Sequence, residues 1–121
     1  MLTRDQILTA APTLPVEEVE VPEWGGTVRV QGLSADDADA FLAASVSRGR
    51  AANQPGEFNR RQFQSRLCVL CLVDEQGHRL FTEKDIAVLG AKSATSIARI
   101  ALVAMRLSGL NPGDVEELKG N

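Results

Sequence analysis

The sequence predicts an α+β fold, in which an N-terminal two-stranded antiparallel hairpin packs on a mainly α-helical part of about four to five helices. Valines alternate with polar residues between positions 17 and 33, and this period of two is typical of strands. Later segments instead repeat their apolar residues at helical spacing. The length of 121 residues suits a single domain. We expect that domain to span 1–121, with the hairpin at about 17–33 and the helical part at about 34–118.

A short helix is predicted before the hairpin, from Arg4 to about Ala10. Thr3 and Gln6 have the spacing of a capping box, in which each side chain accepts a hydrogen bond from the backbone of the other. Leu2 precedes the cap and can pack on Ile7 as a hydrophobic staple. Two prolines follow at positions 12 and 15, so the helix is expected to end before them.

The hairpin prediction depends on two pairs of alternating valines, Val19 with Val21 and Val28 with Val30. Gly25 and Gly26 lie between the two runs and can adopt the positive φ that a two-residue hairpin loop needs. Counting outward from such a loop pairs Val21 with Val30 on the apolar face. Pro22 would then lie on an edge, where the loss of one hydrogen-bond donor is tolerated.

Two helices are predicted next. Ser34 is a suitable N-cap, and the apolar spacing that follows continues to a helix end near Gly49. Residues 48–58 are interpreted as a loop, because Pro55 and Gly56 lie within them. Phe63, Leu67 and Leu70 mark one face of a further helix. The run CVLCLV that overlaps its end is compatible with either period.

A turn and a third helix are predicted after that run. Asp74–Gly77 has the composition of a turn, and Leu80–Phe81 is interpreted as a short extended anchor. Thr82 and Asp85 have capping-box spacing, with an acid in place of the usual Glu or Gln. The helix that they begin is expected to stop at Gly90.

The last long helix is predicted to begin at an N-cap on Ser93 and to run to about Ser108. Gly109 supplies the expected C-terminal stop, because glycine readily adopts the left-handed conformation found there. Asn111 and Pro112 are then predicted to open a final short turn of helix, with proline at its first position.

Composition argues against enzymatic chemistry. The chain has one histidine, no tyrosine and two cysteines, so the common proton shuttles and metal ligands are scarce. Cys68 and Cys71 match C-x-x-C but lie in an apolar run, and we interpret them as buried packing residues that stay reduced. His78 follows a glycine in a turn, with no nucleophile at motif spacing. We therefore predict no enzyme, no catalytic residue, no cofactor and no metal.

Charge is distributed unevenly along a chain whose net charge is −3. Residues 48–66 contain five arginines: Arg48, Arg50, Arg60, Arg61 and Arg66. This basic segment is either a solvated loop and helix start or a contact for nucleic acid or an acidic protein face. The net negative charge of the chain and its small number of aromatic residues argue against a nucleic-acid partner. No apolar run is long enough to span a bilayer, so we expect a soluble, cytoplasmic protein with no membrane contact.

The helix from Ser93 carries the candidate partner-binding residues. Lys92, Arg99 and Arg106 recur every seven positions and fall on one stripe, opposite a core face that includes Ile97, Ile100 and Ala104. Leu102 and Val103 flank the basic stripe, where a one-sided amphipathic helix would be polar. The helix is therefore either covered on nearly every side or offers a surface to a partner. Trp24, on the hairpin, is the alternative centre of such a surface.

Two specific signatures stand out in the sequence: PEWGG in the hairpin, and D-x-x-G-x-x-LF in the turn after CVLCLV. With them, residues 2–47 and 66–118 resemble the tail assembly chaperone family of long-tailed (siphovirus-type) bacteriophages. The resemblance implies a small α+β protein that binds the phage tape measure protein, keeps it soluble and helps recruit the major tail protein during tail assembly. It also implies action in the host cytoplasm, during infection or from a prophage, and absence from the mature virion.

The family resemblance further implies an extended form of the protein, made by a frameshift near the end of the short product, as an additional partner. Two other functions are compatible with the residues alone. One is a small nucleic-acid-binding regulator that uses the basic segment 48–66. The other is a structural tail or connector subunit of a virion. A long helical reading frame just downstream would favour the chaperone function over both.

Overall fold

The computed structural model describes residues 1–11, 13–47, 57–58 and 62–110. Within them, a three-stranded antiparallel sheet packs with five α-helices, so the fold is α+β as predicted. The helices are α1 (Arg4–Thr9), α2 (Ala35–Ala44), α3 (Phe63–Cys71), α4 (Ile86–Gly90) and α5 (Ala94–Leu107). The strands are β1 (Val16–Val21), β2 (Gly26–Gln31), β3 (Val46–Ser47), β4 (Glu57–Phe58) and β5 (Leu72–Val73).

Helix α1 forms its predicted capping box but buries none of its side chains. The Gln6 N–H donates to Thr3 Oγ1 at 3.3 Å, and the Thr3 N–H donates to Gln6 Oε1 at 2.9 Å. Leu2, Ile7 and Leu8 are all more than half exposed. Local capping therefore defines this helix without any contribution from the core.

The hairpin of β1 and β2 forms as predicted, but its register differs. Val21 pairs with Gly26 and Val19 with Val28, whereas the sequence predicted that Val21 would face Val30. Pro22 begins a short 3-10 turn that runs to Trp24, and its carbonyl accepts a hydrogen bond from the Gly25 N–H at 3.0 Å. Because Val21 pairs with Gly26, the loop contains four residues rather than two, and Gly25 at its end has a φ of 75°. The partner of Val21 changes from Val30 to Gly26, which is an even number of positions, so the valines stay on the predicted face of the sheet.

The run CVLCLV divides between a helix and a strand. Cys68–Cys71 completes α3, and Leu72–Val73 forms β5, which pairs with β2 through Val30 and Arg29. The predicted two-stranded hairpin is therefore two strands of a three-stranded sheet in the order β1-β2-β5. Because both parts of the run are buried, the apolar pattern did not distinguish them.

Helix α2 ends earlier than the sequence predicted. Its last residue is Ala44, and Ser45 caps it by donating from its hydroxyl to the Phe41 carbonyl at 2.8 Å. Val46 and Ser47 then form β3, which pairs with β4 inside the region predicted to be a loop. The predicted end near Gly49 lies outside the described residues, as do Asn111 and Pro112.

The capping box at Thr82, the helix end at Gly90 and the stop at Gly109 are confirmed. The Thr82 N–H donates to the Asp85 carboxylate at 2.8 Å, and a 3-10 turn over Glu83–Asp85 leads into α4, which ends at Gly90. Helix α5 begins after Ser93, although that hydroxyl makes no capping hydrogen bond. At its end Gly109 has a φ of 73°, and the Leu110 N–H donates to the Met105 carbonyl at 2.8 Å, which completes a Schellman motif.

The core lies between the sheet and α3 and α5. Its fully buried side chains include Val21, Val30, Leu67, Leu72 and Ile100. The end of β2 also lies directly against the end of α5. A Cβ on Gly32 would be 2.4 Å from the Leu107 carbonyl oxygen, and the Leu33 N–H donates to Ser108 Oγ at 2.9 Å. Only glycine allows the two backbones to approach this closely.

Candidate partner-binding surfaces

The arginine stripe of α5 is paired with the hairpin. Arg99 donates from two nitrogens to the two oxygens of Glu23, each at 3.0 Å, and Arg106 Nη2 lies 2.8 Å from both oxygens of Glu17. Glu17 lies on the same face of β1 as Val19 and Val21 because side chains alternate along a strand. The ion pairs Glu23–Arg99 and Glu17–Arg106 therefore connect the hairpin to α5, and we call this contact the hairpin seam.

The Glu23–Arg99 pair also changes the acid–base behaviour of the glutamate. The hydrogen bonds from Arg99 are the largest cause that lowers the pKa of Glu23 from its ordinary 4.5 to about 2, with smaller help from its own backbone N–H. The two side chains are each more than a third exposed. The pair is therefore accessible to solvent and salt, although its geometry is bidentate.

We predict that this pair makes the protein sensitive to acid between pH 4.5 and 2. The pKa of Glu23 is lower in the folded chain, so the stabilising effect is present above pH 4.5 and is lost as the pH falls towards 2. The melting temperature of Glu23→Gln should therefore fall less over this range than that of the unsubstituted chain. Thermal melts across the range measure this, with Glu20→Gln as the control. Equal slopes for Glu23→Gln and the unsubstituted chain would contradict the prediction.

The remaining candidate residues of this region differ in exposure. Leu102 is 60% exposed, and Trp24, next to Glu23 in the hairpin turn, is 37% exposed. Val103 is half-buried and packs against the core, so it is less available than the sequence suggested. Lys92 is exposed but precedes the first turn of α5 and so is not part of the helical stripe. Of the apolar candidates, Leu102 and Trp24 are thus the exposed ones.

The acids of the hairpin seam were not identified from the sequence. Glu17 and Glu23 are six residues apart, and Arg99 and Arg106 are seven apart. These spacings do not match, because a strand rises about 3.3 Å per residue and a helix about 1.5 Å per residue, so the sequence pattern did not indicate packing between the two sets. Without a predicted contact between the hairpin and α5, nothing indicated that the two sets should be compared.

A second feature is an open cavity of about 210 Å³ between α2, α3 and the start of α4. Its lining residues are Asp37, Ala40, Phe41, Ala44, Arg66, Val69, Leu70, Glu83 and Ile86. We call it the α2–α3 groove. The residues from α2 are spaced at three or four positions, as are those from α3, so one face of each helix forms a wall. Three of its lining residues are charged, Asp37, Arg66 and Glu83, and the others are apolar.

Arg66 is the one described arginine of the basic segment, since the other four lie outside the described residues. Its Nη2 donates to Ser45 Oγ at 3.1 Å, and its guanidinium carbon lies 5.4 Å from the centre of the Phe41 ring. Burial lowers the pKa of Arg66. No carboxylate within the described ranges forms an ion pair with it. The cation is thus partly desolvated beside an aromatic ring.

Both family signatures build turns. In D-x-x-G-x-x-LF, the Asp74 carboxylate accepts hydrogen bonds from the N–H groups of Gln76 and His78, and Gly77 adopts a φ of 85°. In PEWGG, the proline begins the 3-10 turn and the glutamate pairs with Arg99. The acid of each signature has a structural role, since Asp74 accepts hydrogen bonds within its turn and Glu23 is part of the hairpin seam.

Comparison with known protein families agrees with these structural signatures. A family model described as phage tail assembly chaperone matches residues 3–121. The chain belongs to the phage tail assembly chaperone family. Searches among curated proteins and among solved structures each found no match. The family match extends through residues 48–65, which the sequence resemblance alone did not cover.

The two cysteines lie in the core with their thiols free. Both are fully buried, and Cys68 Sγ lies 3.8 Å from the Ile97 carbonyl oxygen. Burial raises the pKa of the Cys68 thiol to about 12 and that of Cys71 to about 11. In the described part of the chain no three or more His, Cys, Asp or Glu residues cluster to hold a metal ion. Nor does that part contain a helix long and apolar enough to cross a bilayer.

We predict that the folded protein resists thiol alkylation. The raised pKa values leave almost no thiolate at pH 8, and burial excludes the reagent. Iodoacetamide should label neither cysteine in buffer and both in urea, as measured by mass spectrometry. Replacing both with alanine should cost about 1–3 kcal/mol in total without loss of a metal. Rapid labelling of the folded chain, or stoichiometric zinc that disappears in the double variant, would contradict this.

Proposed function

We propose that this tail assembly chaperone binds the phage tape measure protein, keeps it soluble and helps recruit the major tail protein onto it. The observation that carries the proposal is the family match over residues 3–121. A non-enzymatic binding role agrees with the structural roles of Asp74 in a turn, of Glu23 in an ion pair and of the two cysteines in the core. We further propose that it acts in the host cytoplasm and is absent from the finished virion, and that a frameshift-extended form is an additional partner.

The physical basis of the proposed function is cover for apolar helices. A long helical protein that awaits assembly exposes apolar stripes, which favour aggregation. A chaperone can cover such a stripe by offering its own exposed apolar side chains. We propose that Leu102 and Trp24 form part of this surface, with Lys92, Arg99, Arg106 and the half-buried Val103 around them. Arg99 and Arg106 contribute while still paired with the hairpin.

Co-expression with the tape measure protein of the same phage tests the function. The chaperone should move the tape measure protein from the pellet to the soluble fraction and should co-purify with it. Purified chain that neither binds the tape measure protein nor changes its solubility would overturn the proposal. Tight binding to a defined oligonucleotide, lost on replacing Arg60 and Arg61 with alanine, would favour the regulator instead.

A surface substitution tests the proposed residues. We predict that Leu102→Asp leaves the melting temperature nearly unchanged, because Leu102 is 60% exposed and surface changes usually stay within about 0.5 kcal/mol. The same substitution should return much of the co-expressed tape measure protein to the pellet. Val88→Asp, at a residue 59% exposed on α4, is the matched control. If both variants keep the partner equally soluble, Leu102 is not part of the surface.

A further inference from the structure

We propose that the α2–α3 groove is a docking site for an amphipathic helix of the tape measure protein, which inserts one large apolar side chain beside Phe41 and places a carboxylate on Arg66. The proposal rests on the proposed function for the identity of the partner. It adds a surface and a recognition chemistry that are separate from the hairpin seam, because the two are built from different helices.

The size of the groove favours a side chain over a small-molecule ligand. Its volume of about 210 Å³ is below the roughly 300–1,000 Å³ of typical small-molecule pockets. It still exceeds the roughly 150 Å³ of an apolar cavity that takes a benzene ring. One Phe or Leu of a partner would therefore fill it. Ala40 and Ala44 keep the α2 wall low enough for the backbone of a partner helix to approach.

The charges of the groove define what the partner helix should carry. Asp37 is already paired with Arg79 at 3.2 Å. Among the described residues, neither Arg66 nor Glu83 has an ion-pair partner, although both line the groove. The guanidinium of Arg66 uses one nitrogen on Ser45 and has further donors for a carboxylate. The complementary helix thus carries an acid for Arg66 and a base for Glu83 beside its apolar anchor.

The experiment measures binding of the full chain to the tape measure protein after the groove is filled. Ala40→Phe places a ring into the groove from an exposed position, so it should not disturb the core. Ala43→Phe is the matched control, since Ala43 is exposed on the same helix and does not line the groove. We expect Ala40→Phe to raise the Kd at least about tenfold and Ala43→Phe to leave it unchanged, as for an anchor in a central pocket.

Charge reversal and crosslinking provide the second readouts. Arg66→Glu should weaken binding by a similar factor, and a variant of the partner with the facing acid changed to arginine should restore it. A photo-reactive phenylalanine analogue should crosslink to the tape measure protein from position 40 and not from position 43. The crosslink stays informative even if Arg66→Glu lowers the stability of the chain, because it needs no change at Arg66.

The outcomes separate the two proposals. If the unsubstituted chain binds the tape measure protein, but Ala40→Phe binds equally well and positions 40 and 43 crosslink alike, the groove is not the site and the chaperone function stands. If the unsubstituted chain does not bind the tape measure protein, both proposals fall. Loss of binding in Ala40→Phe, with normal binding in Ala43→Phe and a crosslink from position 40, supports the groove.

Discussion

Replacing Gly32 with alanine should destabilise the protein by about 3 kcal/mol, although the change adds only one methyl group. The new Cβ would lie 2.4 Å from the Leu107 carbonyl oxygen and 2.8 Å from its carbon, and both atoms are backbone. Neither can rotate away, so β2 or the end of α5 must move. That movement would also strain the hydrogen bond between the Leu33 N–H and Ser108.

Urea unfolding of Gly32→Ala and Gly26→Ala measures the effect. Gly26 lies at the start of β2 with no atom within 4 Å of an added Cβ, and its φ is not positive. Its replacement should change the free energy of unfolding by no more than about 0.5 kcal/mol. Equal midpoints for the two variants would mean that the close approach at Gly32 contributes nothing to stability.

Replacing Ile100 with aspartate should unfold the chain or destabilise it by about 4 kcal/mol or more. Ile100 is fully buried between the sheet and α3, so the carboxylate would have no water and no cation to pair with. Ile100→Val keeps the site apolar and should cost only about 0.5–1.5 kcal/mol.

Circular dichroism and thermal melting of these variants beside Leu102→Asp provide the test. Leu102 is two residues away on the same helix and is 60% exposed. Aspartate should thus destabilise the fold strongly at position 100 and change its melting temperature very little at position 102. A folded Ile100→Asp with an unchanged melting temperature would show that this face of α5 is not the core.

Features that depend on a few neighbouring residues could be predicted from the sequence. The capping boxes at Thr3 and Thr82, the N-cap at Ser34 and the stop at Gly109 each depend on side chains and backbone within about five residues. Period-two alternation likewise identified the face of each hairpin strand. These predictions succeeded because the local hydrogen bonds are the same ones that the folded protein uses.

Features that depend on distant contacts could not be predicted. The run CVLCLV becomes a helix and then a strand because Leu72 pairs with Val30, a residue 42 positions earlier in the chain. The hairpin register changed because Pro22 and Gly25 together stabilise a 3-10 turn that competes with the shorter loop.

The candidate surfaces show the same division between local and distant contacts. The sequence identified the arginine stripe and the exposed Leu102, but not the acids that pair with the stripe. It also assigned Arg66 to a basic segment without indicating the groove. The walls of that groove come from α2, α3 and the start of α4, and single-helix patterns carry no information about which helices meet.

The hairpin seam has a consequence for the order of folding. Its two ion pairs join residues that are 76 and 89 positions apart, so the N-terminal hairpin is covered by the last long helix of the described chain. A two-stranded hairpin is marginally stable on its own, and the apolar face with Val19 and Val21 stays open until α5 is synthesised. Contacts this distant in sequence also slow folding, because a large loop must close first. The nascent chain is thus expected to complete its fold only after residue 107 has left the ribosome.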